Sequence, residues 1–305
     1  MNKIYHDMEA QQYENEHPEI FEQLPPLWEE MIQTALDHLS GDSVRILDFG
    51  CGTGFEIRQF LRNCRKLTID KITCYDLSHG MIKKCQENLK SLDLDIEFTL
   101  DFNALKKIQP YNVFLTNSLI HHLPNYVETI DQLTDLLSND AVWLAGHEPS
   151  TRFYQNVVCR QYAQKCAWSM RIRKLFHPRD VTDFLLAKAG LYNYRFNRGF
   201  IYDVAETAYR EGLFLNQPSP VVIGRLVDFS VAHSQEEIAA GRGLDFEILQ
   251  EQFQNHWKMV MLKTYSFMGV YYEKNIHPKY QKIAQELSLR YPNDGNNFSC
   301  VWKRV

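Results

Sequence analysis

Val44-Arg45-Ile46-Leu47-Asp48-Phe49-Gly50-Cys51-Gly52-Thr53-Gly54 is the stretch whose reading decides the fold. A short apolar strand runs into an acid, and glycines follow on alternate positions. Glycine lacks Cβ and adopts positive φ readily, so the backbone here can turn tightly and approach a ligand closely. A helical pattern starts at once with Phe55, Ile57, Phe60 and Leu61. The free amide N–H groups of a helix N-terminus therefore face the same point.

The spacing separates this stretch from two phosphate-binding loops. The dinucleotide fingerprint reads G-x-G-x-x-G, whereas these glycines fall as G-x-G-x-G with Asp48 two residues ahead. No Gly-Lys-Ser/Thr follows, which removes the P-loop. The pattern D-x-G-x-G-x-G resembles the first motif of the class I S-adenosylmethionine (SAM) methyltransferases. That resemblance implies a cradle of Gly50, Cys51, Gly52 and Gly54, with Asp48 anchoring the methionine ammonium directly or through water.

A second signal follows in Lys71-Ile72-Thr73-Cys74-Tyr75-Asp76, a strand ending in a carboxylate. Asp76 lies 22 residues beyond Gly54, near the offset of about 20 expected of a ribose-binding acid. A carboxylate there accepts from both ribose hydroxyls, each charge-assisted bond contributing about 1.5–3 kcal/mol. Asp76 also reads as the N-cap of a helix over Met81–Leu89, although Ser78 can take that place. Asp76-Leu77-Ser78-His79-Gly80-Met81 continues the resemblance as D-x-S-x-x-M, which implies Leu77 and Met81 at the cofactor, Met81 beside the adenine.

Phe98-Thr99-Leu100-Asp101-Phe102 resembles the family's third strand, implying Asp101 near the adenine amine with Phe102 beside it; a turn cap is the alternative reading of Asp101. Tyr111–Leu123 resembles the fourth strand and its exit, implying cofactor contacts from Asn117 and Ser118. The likeness covers about residues 44–150. It speaks to fold and cofactor, and says little about the acceptor.

Strand patterns at 44–48, 71–75, 96–100, 111–117 and 141–147 alternate with helical ones, which predicts a parallel, doubly wound α/β sheet. Asp48, Asp76, Asp101, Asn117 and His147 fall near its strand ends, where such folds bind ligands. The expected fold is a Rossmann-like, seven-stranded, mainly parallel sheet. Its divisions are an N-terminal helical cap over 1–43, a SAM-binding core over 44–199, a helical insert over 200–295 forming a substrate lid, and a final strand over 296–305.

Within the cap, Pro25-Pro26 precede Leu27, Met31, Ala35 and Leu39 at helical spacing, and Tyr13 reads either as a lid contact to the cofactor or as packing. Beyond the core, Arg179–Gly190 reads as a helix and Tyr192–Asn197 as a sixth strand, to pair with a seventh over Asn297–Val305. Roughly ninety residues between two hairpin strands far exceed a simple loop, so the insert must carry its own structure. Phe246, Leu249, Phe253, Trp257, Val260 and Met261 form a helical stripe behind a cap near Leu244-Asp245. Ser234-x-x-Glu237 fits a capping box and Ser219-Pro220 a helix start.

The 305 residues suffice for one large α/β domain with an added subdomain, and the net charge of −5 argues against broad nucleic-acid binding. Seven cysteines form no C-x-x-C, so the spacing offers no zinc or thioredoxin motif, and a reducing cytoplasm fits. Residues 1–7 carry no apolar targeting core, and Trp257–Tyr272 is too short and too charged to span a bilayer. Residues 151–180 are locally basic, net +6 (7 − 1), with Arg152, Arg160, Lys165, Arg171, Arg173, Lys174 and Arg179 against Asp180. That segment reads as a solvated face, a grip on an acceptor's phosphate or carboxylate, or an RNA contact.

Methyl transfer is an in-line displacement in which the protein chiefly positions the reactants. A base is needed only where the acceptor must lose a proton. His147, in Ala145-Gly146-His147-Glu148-Pro149, is the first candidate, with Glu148 orienting it or an amine, and His122 a further candidate. His233, His256 and His277 read as structural. The expected activity is SAM-dependent methylation of O or N on a small, partly apolar acceptor by a cytoplasmic monomer or homodimer, without metal, membrane or nucleic-acid partner. An RNA (tRNA) or protein methyltransferase and a non-catalytic SAM- or S-adenosylhomocysteine-binding module are the alternatives.

Overall fold

The structure, a computed structural model, describes residues 1–175, 199–227, 243–270 and 273–305. In chain order the elements are α1 (Asn2–Glu9), α2 (Tyr13–Glu16), α3 (Pro25–Leu36), β1 (Ser43–Phe49), α4 (Phe55–Asn63), β2 (Thr68–Tyr75), α5 (His79–Leu89), β3 (Ile96–Thr99), β4 (Tyr111–Asn117), α6 (Tyr126–Thr134) and β5 (Leu137–Pro149). There follow α7 (Thr151–Gln155), α8 (Val157–Leu175), α9 (Phe200–Arg210), α10 (Pro220–Val227), α11 (Phe246–Phe253), β6 (Trp257–Tyr265), α12 (Pro278–Arg290) and β7 (Asn297–Arg304).

The strands form one seven-stranded sheet in the order β3-β2-β1-β4-β5-β7-β6. β1 to β5 run parallel, and β7 is antiparallel to both of its neighbours. The chain leaves β1 toward β2 and β3, then returns to place β4 on the other flank. This reversal opens a crevice at the C-terminal ends of β1 and β4, where open α/β sheets bind ligands.

Both faces are covered. Trp28, Met31 and Ile32 of α3 join Phe55, Ile57 and Phe60 of α4 in the core on one side. On the other, Ile130 and Leu133 of α6 and Leu249 and Phe253 of α11 pack on Phe114, Trp143 and Trp302. Trp143 stacks on Trp302 at 5.7 Å, and its indole N–H donates to Thr116 Oγ1 at 3.0 Å, so the large ring is buried with its polar edge satisfied. Pro25 and Pro26 open α3, where a missing N–H costs nothing.

The insert differs from the expected helical stripe. Helix α11 is capped by Asp245, whose Oδ1 accepts from Glu247 N at 2.9 Å, and ends at Phe253. The chain turns at 254–256 and enters the edge strand β6. A bulge between Met259 and Met261 breaks strict alternation there, and the residues around it imitate a helical period. The antiparallel pair at the sheet edge is therefore β6 with β7. Tyr192–Asn197 and Arg179–Gly190, like Ser234, Glu237 and His233, lie outside the described residues. Among the described residues no helix is long and apolar enough to cross a membrane.

Helix α1 crosses the start of α5. Asp7 Oδ1 accepts from Ser78 Oγ at 2.6 Å and from Gly80 N at 2.8 Å. Gly80 is small by necessity, since a Cβ there would meet the Asp7 carbonyl at 2.9 Å. Ile4 of α1 joins Val204, Ala205 and Ala208 of α9 and Ile223 and Val227 of α10 in a small apolar cluster. The N-terminal helices thus roof the crevice.

Candidate active site

A cavity of about 580 Å³ opens at the C-terminal ends of β1, β2 and β4. Its floor is the glycine turn, with Gly50 and Gly52, and its walls include Phe49, Tyr75, Asp76, Phe102 and Asn117. Helix α1 supplies Met1, Asn2, Lys3 and His6 to the rim, and Tyr13 lines it from α2.

The glycines divide the work. Gly50, Gly52 and Gly54 all have positive φ, at +78°, +49° and +82°. A Cβ on Gly52 would meet nothing within 4 Å, so this residue presents bare backbone to open space. A Cβ on Gly54 would meet Cys85 Sγ at 2.9 Å and Leu89 at 3.3 Å, so this glycine lets α5 pack against the turn. Gly50 N and Cys51 N both donate to the Tyr75 carbonyl, at 2.8 and 3.0 Å, tying the turn to β2.

Asp76 accepts from Gly52 N at 3.0 Å and Ser78 N at 2.8 Å, and its carboxylate lines the cavity. Burial raises its pKa, against the lowering effect of those N–H donors. Ser78, not Asp76, caps α5, its Oγ accepting from Met81 N at 3.0 Å. Asp48 is fully buried on β1, and neither carboxylate oxygen has a hydrogen-bond partner among the described residues. Burial, with Glu56, Cys85 and Asp76 nearby, pushes its pKa well above the carboxylate range. An unpaired acid behind a bare glycine turn is what an ammonium-bearing ligand would satisfy. Together with Asp76 on the cavity wall, this donor set fits the amino-acid and ribose ends of S-adenosylmethionine.

Tyr13, Gly50, Gly52, Asp76, Leu77, Met81, Phe102, Asn117 and Ser118 all line the cavity. Asp48, Cys51 and Gly54 lie off its wall, the first behind the turn and the other two facing the α5 side. Asp101, expected near the adenine or as a turn cap, is exposed and caps the turn over Phe102–Lys107, its Oδ1 accepting from Asn103 N at 2.9 Å. Phe49, Tyr75 and Leu119 line the cavity too and were not singled out from sequence. Phe49 and Tyr75 stack at 4.6 Å, and their signal was their position, last in β1 and β2.

The candidate bases separate. Glu148 is fully buried and holds the chain after β4. Its Oε1 accepts from Leu119 N and Ile120 N, both at 2.9 Å, and its Oε2 from His121 N at 3.2 Å. Its Oε2 also lies 2.8 Å from His121 Nδ1. His147 lies off the cavity wall on a bulge of β5, at φ +57°, where its N–H donates to Ser299 Oγ at 3.0 Å. Its Nδ1 is 2.9 Å from the Tyr265 hydroxyl, and burial pushes its pKa down to about 4. His122 does line the cavity. Its Nδ1 sits 2.6 Å from the Val227 carbonyl, which makes Nδ1 the donor and leaves Nε2 bare. Burial first, then His121 and His6, push its pKa well below the usual value.

In the roof, His17 bridges Glu9 at 3.0 Å and Glu19 at 3.1 Å. The two carboxylates outweigh burial and lift its pKa to about 9, while Glu9 falls to about 2. In the basic segment, Arg152 pairs with Glu247 and lies over Phe246 at 5.1 Å. His277 caps α12, its Nδ1 accepting from Lys279 N at 3.1 Å, and His256 is exposed.

The family model of a methyltransferase domain matches residues 47–143. A malonyl-[acyl-carrier protein] O-methyltransferase of Bacillus cereus is 32% identical over 111 residues, 35% of this chain and 39% of the relative. One of the same name from Halalkalibacterium halodurans is 30% identical over 115 residues, 36% and 41% of the two chains. The match thus spans about two fifths of these relatives' length. The solved structure of the plantazolicin methyltransferase BpumL in complex with SAH aligns over 99% of this chain and 95% of its own, at 12% identity and a TM-score of 0.46. The glycine turn and the carboxylate that follows β2 lie inside the matched segment, and this chain carries a methyltransferase domain over residues 47–143.

Proposed function

We propose that the chain transfers the methyl group of S-adenosylmethionine to an oxygen or nitrogen of a small, partly apolar acceptor. The observation that carries this reading is the cavity over Gly52, walled by Asp76 and backed by the unpaired Asp48. When bound, the cofactor supplies an electrophilic methyl on a sulfonium that leaves as a neutral thioether. Asp76 would hold the ribose, the Gly50–Gly52 backbone would lie against the amino-acid end, and Asp48 would offset its ammonium. Tyr13 and α1 would close over the ligand and exclude water.

Neither candidate histidine makes a strong base. With a pKa near 4, His147 stays neutral at pH 7 and takes up a proton poorly, and the His122 pKa is likewise depressed. This supports an acceptor with a lone pair ready at neutral pH, such as an ionised oxygen. The O-methyltransferases that share the matched segment, named for a malonyl group on a carrier protein, favour the same class. We assign His122 Nε2 to orienting the acceptor and His147 to shaping the wall behind it. The seven free, buried thiols support a reducing, cytoplasmic setting.

The test is a calorimetric titration with S-adenosylmethionine and S-adenosylhomocysteine, followed by methyl-transfer assays on malonyl-type carboxylates, short acyl acids and small amines. Saturable binding with turnover on one acceptor class supports the reading. Firm binding with no turnover on any of them would leave a cofactor-binding module instead, and no binding by folded protein would remove both.

A further inference from the structure

Three cysteines far apart in sequence meet beneath the glycine turn. Cys51 belongs to the turn, Cys74 to β2 and Cys85 to α5, and all are fully buried. Their sulfur atoms lie within 4.8 Å of one another. Among the described residues no other group of histidine, cysteine or acid side chains converges in this way. We propose that Cys51, Cys74 and Cys85 form a three-thiolate site for a single zinc ion, which pins the glycine turn to β2 and α5.

The geometry suits zinc closely. Zn–S bonds of about 2.3 Å place sulfurs about 3.8 Å apart around a tetrahedral metal, so the observed spacing, within 4.8 Å, needs a contraction of about 1 Å at most. Asp48 stands opposite Cys74 in the ladder between β1 and β2, and its side chain therefore shares Cys74's face of the sheet. Buried, with both oxygens unpartnered among the described residues, it gives one oxygen to the fourth position and keeps the other for the cofactor's ammonium. Binding of Zn²⁺ to the three thiols releases three protons and leaves a net charge of −1 on the zinc–thiolate unit, or −2 with the Asp48 carboxylate as the fourth ligand. Arg58, on the Cys85 side, offsets part of that charge. Such a site fills most readily as the chain folds, because metal and fold are linked.

The experiment uses the full chain produced in zinc-supplemented medium, with metal content measured by mass spectrometry and zinc-edge X-ray absorption. We expect one zinc per chain with three sulfur neighbours at about 2.3 Å. Cys85→Ala should lower the zinc content to about a tenth or less, whereas Cys64→Ala and Cys159→Ala should keep it. Removal of zinc by a chelator should lower the melting temperature of the wild-type chain and leave that of Cys85→Ala unchanged. A zinc-free wild-type chain, or zinc held by nitrogen and oxygen alone, would overturn the proposal. So would full zinc retention in Cys85→Ala. Because absorption on the wild-type chain needs no variant, the proposal stays decidable even where Cys85→Ala does not fold.

Discussion

Asp76 and the glycines set cofactor affinity atom by atom. Asp76→Ala should weaken S-adenosylhomocysteine binding about tenfold or more, the equivalent of one lost charge-assisted hydrogen bond, measured by calorimetry. Gly52 and Gly54 should behave differently although both have positive φ. Gly52→Ala meets no atom within 4 Å, so it should cost only about 1–2 kcal/mol of left-handed strain while its methyl obstructs the cofactor. Gly54→Ala drives a methyl into Cys85 and Leu89, and should cost a further 1–3 kcal/mol or so of overpacking. Denaturation curves beside calorimetry separate the two. The places of Asp76 and Gly52 at the cavity were legible from the sequence because a fixed spacing sets them at the strand ends. Asp101 was not, because an acid just after a strand serves a ribose-adenine site and a turn cap equally well, and only the direction of its carboxylate decides.

The chain segment after β4 depends on one side chain from β5. Glu148 satisfies three backbone N–H groups and faces His121, and the segment it holds supplies Ser118, Leu119 and His122 to the cavity. Glu148→Ala leaves those donors buried and unpaired, so we expect a loss of about 3 kcal/mol of stability by chemical denaturation, with weaker cofactor binding. Glu148→Gln keeps one acceptor oxygen and should fall between. The sequence pointed to Glu148 for its place at a strand end but could not give its direction, since a bulge at His147 re-aims the residues there. The same cause hid β6. Five parallel strands were readable as apolar runs ending in polar residues, whereas an edge strand with a bulge loses its two-residue period and reads as helix.

A charged cluster of His17 with Glu9 and Glu19 ties the N-terminal roof together, and its stability should follow pH accordingly. His17 has a folded pKa raised to about 9, so its contribution is complete below about 6.5 and lost as pH rises through 9. Glu9 is lowered to about 2, so its share is complete above 4.5 and lost as pH falls through 2. The advantage of the wild-type chain over His17→Gln should therefore be greatest between about pH 4.5 and 6.5 and shrink toward pH 9, in melting curves taken across that range. Asp7→Ala removes the acceptor for Ser78 and Gly80. It should speed S-adenosylhomocysteine dissociation about five- to tenfold and raise hydrogen exchange over Asn2–Glu9. Over the whole molecule, the sequence by itself determined the βα alternation, the glycine turn and the acid ending β2, because local spacing and periodicity encode backbone conformation. Only the tertiary structure decided which cysteines meet, which acid is left unpaired, what Glu148 holds and where the sheet ends. Those depend on side-chain direction and on partners tens of residues away, which no local pattern in the chain specifies.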